Sequence, residues 1–88
     1  MRHLSDELKE LIQDAVDELE KYRGFSPLVE EGITSFKLLK EIVGDPTHES
    51  IEEAKTLVNK MQNQIAPYKY MVPRVTKALY GLSEWLKK

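Results

Sequence analysis

Apolar residues recur along this chain in steps of three and four, with charged residues filling the gaps, and glycine or proline interrupts the rhythm at intervals. That period predicts amphipathic helices rather than strands. The first run, Leu8, Leu11, Ile12, Ala15, Val16, Leu19 and Tyr22, predicts a helix over 6–23. Ser5 stands where an N-cap belongs, and Asp6 and Glu7 favour the positive end of the helix dipole. Gly24 follows as a left-handed stop. The second run, Val29, Ile33, Phe36, Leu39 and Val43 with Leu28 and Ile42 beside it, predicts a helix over 27–43. Here Ser26 is the cap, and Pro27 sits at the first position, where a missing N–H costs nothing. Gly32 weakens this helix or lets a neighbour approach closely.

The third run, Ile51, Ala54, Leu57, Val58, Met61 and Ile65, predicts a helix over 51–65. Ser50 with Glu53 reads as a capping box. An earlier start, with Asp45 as cap and Pro46 first, competes with it. The fourth run, Val75, Ala78, Leu79, Leu82, Trp85 and Leu86, extends backward through Tyr68, Met71 and Val72. Two starts compete here, at Pro67 with a bend or at Pro73 with a loop before it. Interior proline costs ~3 kcal/mol, so the expected helix is 73–87. Two short connections, near Gly24 and Gly44, imply antiparallel neighbours. The predicted fold is all-α, a single-domain antiparallel four-helix bundle of up-down-up-down topology over 1–88.

Composition narrows the classes of function. There is no cysteine, hence no disulfide framework and no thiolate metal site. No apolar run is long enough to span a membrane, and the N-terminus lacks the apolar core of a signal peptide, so the expected location is the cytoplasm. The net charge of −2 conceals a partition. Residues 1–65 carry 8 basic and 14 acidic side chains, and residues 66–88 carry 5 basic and 1 acidic. Either the acidic first helix packs beside the basic last one, or the basic end meets an acidic surface elsewhere.

Motifs for chemistry are missing. No phosphate-binding glycine loop, nucleophile elbow or His-Glu-x-x-His occurs. His3 and His48 are far apart, and no glutamate has a histidine three residues on, as di-iron bundles require. Asp14, Asp17, Glu18 and Glu20 crowd the first helix on faces off the apolar stripe, where solvation is expected. The expectation is therefore no enzyme, no cofactor and no metal.

What remains is contact. Ala66–Arg74 reads Ala-Pro-Tyr-Lys-Tyr-Met-Val-Pro-Arg, a joint rich in residue types that anchor interfaces. Tyr68, Met71 and Val72 continue the apolar period and are expected to face the core, while Tyr70 points out. The contact residues selected are Lys69, Tyr70, Arg74 and Lys77, and the expected partner is another protein or a second copy of this one. Nucleic acid is a minority reading because a pI near 5.7 is low for it. Peripheral membrane contact through Trp85, Lys87 and Lys88 is less favoured than a packed Trp85. In size and architecture the chain resembles the bacteriocin immunity proteins, small cytoplasmic four-helix bundles that protect a producer cell by engaging a membrane receptor complex. That resemblance is one of fold alone.

Overall fold

A computed structural model describes residues 4–87. Four helices follow one another: α1 (Leu4–Glu20), α2 (Pro27–Gly44), α3 (His48–Ile65) and α4 (Pro73–Leu86), with a single 3₁₀ turn, Ala66–Tyr68, after α3. Each packs against the next in sequence, and α1 packs against α4 to close the ring. Pairs across the seams give the directions. Lys40 donates to Gln13 at 2.8 Å between α2 and α1, and Gly32 lies against Leu19. Lys60 meets Glu31 at 2.9 Å between α3 and α2. Gly81 of α4 lies against Leu8 and Leu11 of α1. Rising numbers on one helix pair with falling numbers on its neighbour, so the bundle is antiparallel throughout. Its radius of gyration, 12.2 Å, matches the ~12 Å expected of a compact chain this long.

The core is the four predicted stripes brought together. Ile12, Phe36, Leu39, Val75, Leu79 and Leu82 are its fully buried centre. Leu11, Tyr22, Val29, Leu57, Ile65 and Trp85 pack partly buried around it. Of the two readings of Gly32, weakened helix or close approach, the close approach is present: a Cβ there would meet Leu19 Cδ1 at 3.1 Å, so α1 and α2 touch where a side chain is missing. The acidic α1 lies directly beside the basic α4, the intramolecular arrangement of the charge partition. Among the described residues no helix is long and apolar enough to cross a membrane.

Several boundaries differ from the sequence expectation. The first helix starts at Leu4, so Ser5 lies inside its first turn and does not cap it. Leu4, one turn back from Leu8, is 52% exposed, so no core contact of its own accounts for the earlier start. At the other end α-helix stops at Glu20. Lys21, Tyr22 and Arg23 make tighter bonds back to Glu18, Leu19 and Glu20, until Gly24 turns the chain at φ 87°. Ser26 caps α2 as expected, accepting from Leu28 N–H, with Pro27 first. The third helix begins three residues before the predicted start. Thr47, not Ser50 or Asp45, is its cap, and the box pairs Thr47 with Ser50. Ser50 N–H donates to Thr47 Oγ1 at 3.1 Å and Thr47 N–H donates to Ser50 Oγ at 2.8 Å. The fourth helix begins at Pro73, the later of its two candidate starts.

Candidate functional site

The joint between α3 and α4 is a pinned loop. Pro67 has no N–H to continue the α3 ladder, and the chain tightens into the 3₁₀ turn Ala66–Tyr68. Met71 N–H then donates to Tyr68 carbonyl at 2.8 Å. The Thr76 hydroxyl, one turn into α4, is 2.9 Å from Lys69 carbonyl and 3.2 Å from Val72 carbonyl, both acceptors within its reach. So residues 68–72 are tied at both ends, and what they display is held in place rather than left to wander.

The start of α4 is completed from outside. Val72, its cap residue, offers no side-chain acceptor. The Glu18 carboxylate of α1 supplies one: Oε1 accepts from Arg74 N–H at 3.0 Å and from Val75 N–H at 3.1 Å. Pro73 has no donor and Thr76 N–H returns to Val72 carbonyl at 3.0 Å, so every first-turn donor is accounted for. A carboxylate here also faces the positive end of the α4 dipole. This corrects the solvated placement expected for Glu18, which is 9% exposed. The signal lay in the spacing. Leu11 touches α4, and Glu18 is seven residues, two turns, further along the same face.

From this fixed start the joint shows two faces. Outward, Tyr70 is 89% exposed, and Lys69 Nζ sits 5.2 Å from its ring centroid. That cation–ring contact contributes about 0.5–1 kcal/mol at an exposed site. Lys69, Tyr70 and Lys77 border one open depression with Pro73 and Thr76. Arg74 is exposed one turn before Lys77 but outside that depression, and its backbone rather than its side chain has the described partner. Of the four selected contact residues, then, three are gathered and the fourth is adjacent. Arg74 and Lys77 have no ion-pair partner among the described residues, whereas Arg23, Lys55, Lys60 and Lys87 each have one.

Inward, the same loop walls a cleft of about 120 Å³. Its floor is core: Leu19, Phe36, Met61, Val72 and Val75. Its rim is apolar and open, made by Phe25 and Leu28 from the α1–α2 corner and by Tyr68 and Met71 from the joint. Val72 faces the core as expected; Tyr68 and Met71, at 49% and 56% exposed, do not, and stand on this rim instead. Phe25, 79% exposed, escaped the sequence reading because it sits between Gly24 and Ser26, outside any helical period. Among the described residues no three His, Asp or Glu side chains converge on a point where an ion could be held. His48 is exposed in the first turn of α3, and His3 lies outside the described residues. No protein-family model, no curated protein and no solved structure matches the chain.

Proposed function

We propose that this chain is a non-enzymatic binding protein whose contact surface is the Pro67–Pro73 joint with the basic first turns of α4. The observation that supports it is the joint itself: a loop hydrogen-bonded at both ends that presents a nearly fully exposed tyrosine beside a lysine. Solvent exposure of a large ring on a fixed loop is what a contact anchor needs, since little conformational entropy is left to lose on binding. The partner is another protein, with a second copy of this chain as a special case. The bacteriocin-immunity reading has the four-helix architecture as its support. Lysines beside a tyrosine ring support a second reading, a single-stranded nucleic acid, against which the overall acidic charge stands.

A photo-crosslinking residue in place of Tyr70 tests this in the producing cell, with the same residue in place of the exposed Lys55 of α3 as control. The expected result is one discrete protein adduct at position 70, missing at position 55 and lost with Lys69→Glu and Lys77→Glu. An adduct of twice the chain's mass identifies the partner as itself. Equal adducts at both positions, none at either, or an adduct removed by nuclease would each overturn the protein-binding reading.

A further inference from the structure

We propose that the outer face of the joint and α4, from Lys69 to Tyr80, takes a short acidic segment of a partner protein, whose carboxylates meet Lys69, Arg74 and Lys77 while Tyr70 and Tyr80 supply the apolar contact. This rests on the reading of the joint as a contact surface and names the chemistry of what it contacts. The distribution of acids, the pairing of the cations and the shape of the face carry it.

From Ala54 to Ser83 the sequence has no Asp or Glu, although the chain as a whole is acidic. Within that stretch the cations of α3 are matched from outside it, Lys55 by Glu52 and Lys60 by Glu31. Lys69, Arg74 and Lys77 are not: none has an ion-pair partner among the described residues. Glu18 of α1 does reach the start of α4, but its Oε1 accepts from the backbone N–H groups of Arg74 and Val75 and leaves the Arg74 guanidinium without an acid. Lys69 lies over the ring of Tyr70, 5.2 Å from its centroid, instead of against a carboxylate. Three neighbouring cations with no counter-charge of their own attract an acidic partner and repel a basic one.

Lys69, Tyr70, Pro73, Thr76 and Lys77 border a single open depression, so two of the cations line the contact itself. Pro73, Lys77 and Tyr80 stand four and three residues apart and share one face of α4, which carries the surface one turn beyond the depression to the exposed Tyr80. Tyrosine and arginine are the residue types enriched at interface cores. No residue bordering the depression is buried. It therefore has no socket for an inserted side chain, and the contact it suits is with a segment laid across it. From Pro73 to Tyr80 the helix rises about 10 Å, the length of about three extended residues. Carboxylates close together in a partner's sequence thus reach these cations. A strand of nucleic acid meets the same cations, but it also runs its charge past the exposed acids of the adjacent α1, Asp14 and Asp17 among them.

The test titrates the isotope-labelled whole chain, followed by its backbone amide resonances, with a synthetic peptide of alternating Glu and Ser about one central Phe. Its counterpart with Lys for Glu, oligothymidylate and phosphatidylglycerol vesicles are the competing probes. The Glu peptide should shift amides across residues 69–80 and leave those of α2, which does not touch α4, in place. The Lys peptide should shift none. Lys69→Glu with Lys77→Glu should weaken the Glu peptide about tenfold, and Tyr70→Ala should weaken it as well. Lys37→Glu with Lys55→Glu, which changes the net charge equally from outside the face, should not. All these positions are exposed, and thermal melts establish that each variant is folded. Glu-peptide shifts that are absent, that spread over the bundle or that survive the Lys69 and Lys77 reversals overturn the inference. A single protein adduct at position 70 then leaves the contact-surface reading standing. Tighter binding of oligothymidylate or of the vesicles than of the Glu peptide overturns both.

Discussion

At residue 18 a side chain that the charge pattern assigns to solvent turns inward, because the start of α4 has two donors and no acceptor of its own. Removing the carboxylate leaves those donors in a partly buried place, a loss of about 1–3 kcal/mol. Glu18→Ala should therefore lower the melting temperature by about 8–16 °C for a loss near 2 kcal/mol, each kcal/mol shifting a domain this size by about 4–8 °C. Glu18→Gln keeps an acceptor oxygen and gives up the charge at the helix dipole, so its loss should be smaller. Circular dichroism melts of the two variants check this; equal losses would make the contact electrostatic alone. Glu18 also shows where sequence reading ends. Its place on the α4-facing edge is implied by Leu11 and Ala15, but the need for an acid there is visible only once Pro73 is known to begin a helix without a cap. Tyr70 was legible because it breaks the apolar period, and Phe25 was not, because a residue in a corner belongs to no period.

At the scale of elements, the four helices were legible from their stripes, and their ends were legible only where the capping chemistry was unambiguous. Ser26-Pro27 marks one start and Gly24 one stop, each by a property of a single residue. Thr47 and Ser50 defeat the same approach because both hydroxyls can cap, and Glu53 makes the later box look complete. The tie is broken by reciprocity, since Thr47 and Ser50 each satisfy the other's backbone N–H. Thr47→Ala should then cost about 1 kcal/mol, within the ~0.5–2 kcal/mol range of lost caps. Glu53→Ala should change stability by less than about 0.5 kcal/mol, as exposed substitutions usually do. Urea unfolding of the two variants separates the assignments; the reverse order would restore Ser50 as the cap.

For the whole molecule, α1 is the helix that holds the others, packing extensively against both α2 and α4, while α2 and α3 touch least and part into the cleft. The ion pair across that looser seam joins Glu31 to Lys60 at 2.9 Å. Its hydrogen bond, and then its charge, hold the Glu31 carboxyl below its ordinary value of 4.5. A carboxyl depressed in the folded state adds stability that is present above that ordinary value and lost as the pH falls through the lower folded one. Both partners are exposed, so the contribution is small. Wild type should exceed Glu31→Gln in melting temperature above pH 5 by a margin that closes on acidification below about pH 4, and melts across that range check it. The antiparallel meeting of α1 and α4 has a further result for the chain as a line rather than as a surface. Since Glu18 reaches the start of α4, the beginning of α1 lies beside the end of α4, and the two ends of the described chain are neighbours. A short polar linker can then join residue 87 to residue 4, and new ends can be cut in the turn at 45–46, at the pole away from the joint. Such a permutant, keeping the Thr47 cap, should fold to the same helical spectrum, for the order in which the helices are strung is separable from the face they build.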